Sequence, residues 1–487
     1  MAQVTRRGVL AGLMAGAVTP LWAEAPATSI RPRLRGVPQP DAGALPLVAA
    51  AKLTGAVGYI TADLATGQIL EAEGAEVEMP PASVTKTMTT LFALEKLGVT
   101  HRFVTRVMRV GQVVAGRLDG DLILAGGGDP ELNTDKLGDL VAALAATGLR
   151  EVTGRVIIYT GALPERVEIA WDQPDYVGYN PSVSGLMLNF NRVNFVWKKQ
   201  GDGYQLGMNA EGQRFVPPVS MASMQLADRD LPLFAYEAAE GQDRWSVARR
   251  ALGKEGGRWL PVRHPGAYAG EVFAWHAAAQ GIKLGKPEVS RDLPAAAVEI
   301  VRHEGEALPV VLRKMLKFST NLTAEVVGLT ASGAGTQAGS AAVMTSWARR
   351  KFGIAATFGD HSGLGPVTRI APAEMIKVMI QARHDPSGAL LHDLMKEKGA
   401  AEGKDQDASP IRVHAKSGTM NFVSNLAGYI TAPNGRELAF AVFTADLPRR
   451  AAVPVAQREQ PEGDAAWVRR ARRLQAQMVN RWAKVYL

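Results

Sequence analysis

The chain of 487 residues contains no cysteine. That excludes disulfides, thiolate catalysis, cysteine-ligated zinc and a lipid anchor on a cysteine. Aromatic residues are sparse, at 6%, and no compact basic motif with interleaved aromatics occurs. The net charge of +8 therefore suits an anionic lipid or cell-wall surface, and no nucleic-acid partner is expected. The eight histidines are scattered without metal-ligand spacing, so no metal and no organic cofactor are expected. Beyond the N-terminal region no stretch approaches 18 unbroken apolar residues, so no membrane-spanning helix is expected. The glycine run Gly126–Gly128 lacks the Lys and Ser/Thr of a phosphate-binding loop and reads as a turn. There is no internal repeat and no low-complexity tract. What remains is an ordinary folded composition, 47% hydrophobic and 21% charged, long enough for about three domains.

The N-terminus has the layout of an export signal over residues 1–25. Arg6-Arg7 precedes a weakly apolar run from Gly8 to Trp22, and Ala23-Glu24-Ala25 closes it with small residues. The arginine pair resembles a twin-arginine signal, and the periplasm is the expected destination. Residues 26–43, rich in Pro, Gly and Arg, read as a linker. Val57–Thr61 and Gln68–Leu70 flank a turn at Ala65-Thr66-Gly67, the pattern of a hairpin. Val84–Leu97 has helical spacing, with Gly98 as its stop. Leu308–Leu316 and Leu322–Thr330 read as helices, and Asp121–Leu124 and Glu151–Tyr159 between them and the first motif as strands. Strands are expected toward Lys416, over Phe422–Thr431 and over Glu437–Ala445, the last two joined by Pro433-Asn434-Gly435. Trp467, Ala471, Leu474, Met478, Trp482 and Val485 form one helical stripe. Opposite it lie Arg469, Arg470, Arg472, Arg473, Arg481 and Lys484, so this helix either packs in a core or makes peripheral membrane contact.

Three motifs occur once each and in order: Ser83-Val84-Thr85-Lys86, Ser319-Thr320-Asn321 and Lys416-Ser417-Gly418. A chain this long holds roughly one S-x-x-K by chance, and each motif alone also reads as a helix cap, an inter-helix turn or a strand end. The ordered triple is far rarer, and it supplies what acyl transfer requires: a nucleophile, a base, a proton route and an oxyanion hole. Ser83 and Lys86, three apart on a helix, share a face. A neutral Lys86, its pKa lowered by burial and by Lys416, would activate Ser83. Ser319 and Asn321 can project into one cleft. Ser319 would relay the proton to the leaving nitrogen, and Asn321 would hold the substrate amide and contact Lys86. Lys416, Ser417 and Thr419 would bind a substrate carboxylate, Gly418 would allow close approach of substrate to the backbone, and the amides of Ser83 and Thr419 would form the oxyanion hole.

These motifs are the signature of penicillin-recognising serine acyl-transferases. From about Val57 to the C-terminus the chain resembles the D-alanyl-D-alanine carboxypeptidase/endopeptidase family, the class C low-molecular-mass penicillin-binding proteins. The resemblance is carried by Pro81-Ala82-Ser83, by Gly120-Asp121-Leu122 running to Asp129-Pro130, and by Tyr179-Asn180-Pro181-Ser182. It continues through Ala324-Glu325, Asp360-His361-Ser362-Gly363-Leu364 and Leu426-Ala427-Gly428-Tyr429. Ser417 stands where threonine is commoner, Thr320 where an acidic residue is frequent, and His361 where a small one is.

The resemblance implies an α+β fold, an antiparallel sheet flanked by helices, with two domains inserted between S-x-x-K and S-x-N. The expected division is residues 44–100 and 300–487 for the penicillin-binding domain, 101–170 and 266–299 for a first insert, and 171–265 for a second. It implies a serine D,D-peptidase that removes terminal D-alanine from peptidoglycan stem peptides or cuts D-alanyl cross-links, with β-lactams as covalent inhibitors acylating Ser83. A β-lactamase or esterase on the same residues, or a non-catalytic wall-binding scaffold, are the alternatives.

Overall fold

The hairpin and the strands of the last third meet in one sheet. The computed structural model describes residues 43–400 and 409–487, and the export signal and all but the last residue of the linker lie outside them. Six antiparallel strands run in the order Lys396–Gly399, Arg412–Met420, Val423–Thr431, Glu437–Ala445, Ala56–Asp63 and Ile69–Glu73. The hairpin thus joins the C-terminal strands edge to edge, with Tyr59 opposite Val442. The fold is α+β.

One face of this sheet is covered by the helix Asp464–Tyr486. Trp467, Ala471, Leu474, Met478 and Trp482 of its stripe are fully buried, whereas Val485 is exposed. The stripe is consumed by packing, so peripheral membrane contact through this helix is not supported. Two of its basic residues are also engaged: Arg481 pairs with Glu71 at 2.6 Å, and Arg472 donates to the Thr419 hydroxyl at 3.2 Å. Trp482 packs on Tyr59 and Phe440 and donates to the same Glu71 carboxylate at 3.1 Å. Trp482→Ala is expected to destabilise the protein by about 3–5 kcal/mol, read as a lowered midpoint in urea unfolding. Among the described residues no helix is long and apolar enough to cross a membrane.

The other face carries the main core, and Thr85–Leu97 is its central helix. All its residues from Thr85 to Leu94 are buried, although four of them are threonines. Each hydroxyl finds a carbonyl: Thr85 that of Ala82, Thr87 that of Val84, Thr90 that of Lys86 and Thr89 that of His361, at 2.6–2.8 Å. A helix so satisfied can be buried all round without leaving polar atoms unpaired.

The chain leaves this region after Leu97 and returns with the helix Leu308–Phe318. In between, a mixed sheet runs Pro287–Ser290, Val156–Tyr159, Arg117–Ala125, Arg102–Val114 and Val298–Ala307. Two three-stranded sheets follow within residues 192–261. Three details differ from the sequence reading. Val298–Ala307 pairs with Arg102–Val114, so residues 300–307 join the inserted sheet rather than the S-x-N helices. Glu151–Tyr159 is two strands, because the chain turns at Gly154, whose amide donates to the Gly120 carbonyl. The glycine run is irregular chain rather than a turn, the amides of Gly126 and Gly128 bonded to the carbonyls of Tyr159 and Gly185.

Candidate active site

Ser83 sits in a single 3-10 turn, Ala82–Val84, that feeds the buried helix beginning at Thr85. This presents the hydroxyl at the helix N-terminus, where the dipole favours developing negative charge. Lys86, one turn on, is fully buried. Its ammonium donates to Ser83 Oγ at 2.9 Å, Asn321 Oδ1 at 2.7 Å and the Ser362 carbonyl at 2.8 Å. All three partners are neutral, so nothing in direct contact compensates the charge. Burial first, and then the field of Lys416, hold the Lys86 amine well below the usual lysine range, with Asp360 and Glu325 opposing.

Ser319 ends the helix Leu308–Phe318 in the left-handed region, with φ 60°, and Asn321 opens the next helix. The two side chains therefore enter one cleft from a sharp inter-helix turn. Lys416 donates to Ser319 Oγ at 2.9 Å and to the Ser417 carbonyl at 2.8 Å. Burial lowers Lys416 to about 8. Two sets of polar contacts thus meet at the cleft, Ser83 and Asn321 on Lys86 and Ser319 on Lys416.

On the strand Arg412–Met420, Lys416 and Gly418 are buried while Ser417 and Thr419 alternate outward. Thr419 lines the cleft, and Ser417 meets the site through its carbonyl. The close approach at Gly418 is to the protein's own turn. A Cβ there would lie 2.3 Å from the Pro81 carbonyl oxygen and 3.0 Å from the Ser83 amide nitrogen, so only glycine lets this strand press against the nucleophile's backbone. The cleft, about 300 Å³, is lined by Ser83, Ser319, Asn321 and Thr419, by Gln173 and Tyr179 from the excursion, and by Arg450, Arg458 and Glu459 from the C-terminal segment.

Several contributors escaped the sequence reading. Asn321 Nδ2 donates to the Tyr179 carbonyl at 3.0 Å, so the excursion reaches into the site. Asp172 is gripped by Arg458 at 2.9 Å and Arg450 at 3.3 Å, fastening that segment beside the cleft. Behind Lys86 lie two buried carboxylates. Glu325 accepts from the amides of His361 and Ser362, and Asp360 from those of Ser362 and Gly365. Burial raises both above the ordinary carboxylate range. Together they fix the loop whose Ser362 carbonyl receives Lys86. His361, kept neutral by burial at about 4, bonds Ser340 at 2.6 Å and fits only because Gly328 has no side chain beneath its ring. Glu325 stands four residues after Asn321, on the same helix face; that spacing was the available signal. Among the described residues no cluster of His, Asp or Glu is arranged to hold a metal ion.

A serine held by a buried lysine, beside a second serine and second lysine on an antiparallel sheet, defines a serine acyl-transferase of the S-x-x-K type. The chain belongs to the D-Ala-D-Ala carboxypeptidase 3 (S13) family, whose model matches residues 47–466. It is a serine D,D-peptidase acting on peptidoglycan. It is 24% identical over 410 residues to the D-alanyl-D-alanine carboxypeptidase DacB of Haemophilus influenzae, covering 80% of this chain and 85% of that protein. It is 29% identical over 438 residues to a D-alanyl-D-alanine carboxypeptidase of an Actinomadura species, covering 80% and 78% respectively. The fold is similar to the crystal structure of penicillin-binding protein 4 from Haemophilus influenzae, with a TM-score of 0.70 at 20% identity over 87% of this chain and 99% of that one. It is similar also to that protein complexed with a β-lactam, with a TM-score of 0.69 at 20% identity over 90% and 99%.

Proposed function

We propose that Ser83 is the nucleophile of this peptidase and Lys86, in its neutral form, the base. The carrying observation is the 2.9 Å contact between Nζ of the fully buried Lys86 and Oγ of the half-buried Ser83. Ser83 attacks the carbonyl of the penultimate D-alanine while Lys86 takes the hydroxyl proton. The amides of Ser83 and Thr419 receive the oxyanion. The proton then passes to the leaving nitrogen through Ser319, which Lys416 polarises. The C–N bond breaks, the amine departs, and water clears the acyl-enzyme. Asn321 holds the substrate amide. Lys416 and the Thr419 hydroxyl receive the terminal carboxylate, with Arg472 adding positive charge at Thr419 and the Ser417 carbonyl holding the Lys416 ammonium.

Stem peptides are the substrate, and β-lactams acylate Ser83 as slowly released inhibitors, a reading supported by the β-lactam complex of the Haemophilus protein. The twin-arginine-like signal supports action in the periplasm. The sheets between Leu97 and Leu308 support the reading of two inserted domains. Incubation of the purified protein with a stem pentapeptide is expected to release D-alanine, and fluorescent penicillin is expected to leave a stable covalent band. Rapid penicillin turnover with no D-alanine released would overturn this reading in favour of a β-lactamase.

A further inference from the structure

Behind the S-x-N turn lies a second cavity, of about 340 Å³, that the chemistry above does not use. It shares Tyr179, Ser319 and Asn321 with the catalytic cleft, so the two are immediate neighbours. Its walls are aromatic: Phe190, Trp259, Phe318 and Tyr179. Phe318 is 67% exposed and Tyr179 43%, so both rings present apolar surface to solvent beside the cleft, where an apolar ring is disfavoured.

Arg192 is the unusual member. Its guanidinium lies between two rings, 5.3 Å from the centroid of Phe190 and 5.6 Å from that of Trp259. Its Nε is buried with no hydrogen-bond partner. The groups close enough to act on its charge include the Tyr268 hydroxyl and no carboxylate, and burial lowers its pKa. A half-buried cation with one sealed, unpaired nitrogen and no anion beside it is costly unless a ligand supplies one. The segment that presents it is strained: Asn189, Phe190 and Asn191 follow one another in the left-handed region, with φ 51°, 58° and 50°. The two asparagines are locked there by bonds to Thr134, Tyr268 and Ser182. Such strain persists where the surroundings impose it, and it clusters at binding sites.

The position of the cavity selects its occupant. Ser319 delivers the proton to the departing nitrogen, so the cavity that borders Ser319 adjoins the leaving side of the scissile bond. From a linear stem the leaving group is one D-alanine, which the main cleft accommodates. From a cross-link it is a whole second stem peptide, with aliphatic portions and free carboxylates. We propose that the Phe190–Arg192–Trp259 cavity is a subsite for the leaving strand of a cross-linked substrate, with Arg192 pairing to a free carboxylate on that strand and the rings packing on its aliphatic portions. This rests on the D,D-peptidase reading and makes cross-link cleavage, rather than trimming of linear stems, the favoured reaction.

The test compares a D-alanyl cross-linked stem-peptide dimer, free of sugars, with a linear stem pentapeptide, on the full chain and its Arg192→Met and Phe318→Ala variants. Phe318→Ala is a surface change that leaves Arg192 in place, and so guards against misfolding of the Arg192 variant. The expected result is a fall of about tenfold or more in kcat/KM on the dimer in both variants, with a smaller change on the pentapeptide and an unaltered rate of Ser83 labelling by penicillin; one lost ion pair to a charged group is worth about that much. A parallel fall on both peptides, or no fall on either, would overturn the proposal while leaving the peptidase reading intact. A fall seen only when the dimer carries its glycan would also overturn it, since the occupant would then be a sugar. Absence of penicillin labelling in the unaltered protein would instead count against the underlying peptidase reading.

Discussion

Ser83→Ala is expected to abolish the covalent penicillin band and to lower D-alanine release by on the order of 10⁶-fold, the scale of loss when a serine nucleophile is removed. The fold should survive. Ser83 is only half-buried, and Lys86 keeps Asn321 and Ser362 as partners when the hydroxyl goes. Its unfolding midpoint should therefore lie close to that of the unaltered protein. The measurement is gel fluorescence after labelling, with the unfolding curve as control. A band that persists in the variant would move the nucleophile elsewhere, with the nearby Ser319 hydroxyl the first to examine, and would sink the role assigned to Ser83.

The second large effect is on pH dependence. The mechanism needs Lys86 neutral and Lys416 charged. Lys86 is held well below the usual lysine range by burial and by Lys416, so the acylation rate should rise with pH through that depressed value, giving the acid limb. Lys416 lies at about 8. It loses its proton as pH rises through that value, so the rate should fall there. The result is a bell whose alkaline limb belongs to Lys416. In Lys416→Arg the guanidinium stays charged, and the alkaline limb should move above about pH 10, at a reduced plateau because the fork cannot reproduce a point contact on Ser319. Removing the base, as in Lys86→Met, should lower acylation by about 10²–10⁴-fold at every pH. The rate of penicillin acylation measured across pH decides both. An alkaline limb that stays at pH 8 in Lys416→Arg would detach it from Lys416.

The elements closest to the motifs could be read because their signals are local. Glu437–Ala445 is a short, nearly continuous apolar run bounded by a turn, and it is a strand over that whole span. The helix before Ser319 runs two residues beyond the expected Leu316. Pairing distance explains what escaped. Lys86 and Asn321 are 235 residues apart, and Lys86 and Ser362 276 apart. No periodicity links them, and only the motif order suggested that they meet. Glu325 and Asp360 look like surface carboxylates until the loop closes over them. Tyr179 lies in the irregular stretch between the strands Val156–Tyr159 and Arg192–Gln200, and Arg192 at its end, where burial is set by neighbours far along the chain. The C-terminal helix is the converse case. Its charge pattern suited both a membrane and a core, and the partners Glu71, Tyr59 and Phe440 decided for the core.

The sheet that carries Lys416 is sewn from both ends of the chain, the hairpin at Ala56–Glu73 being bordered by Glu437–Ala445. This has a consequence for synthesis. While the protein is being made, the segment bearing the serine emerges early and its activating partners emerge last. Until the final strands arrive there is no second lysine, no strand against the serine's amide and no sheet to hold the central helix. The growing chain is therefore inert toward peptides and penicillin alike. Joining such remote segments is slow compared with forming local helices, so the meeting of the two ends should set both the pace of folding and the moment at which the enzyme becomes armed.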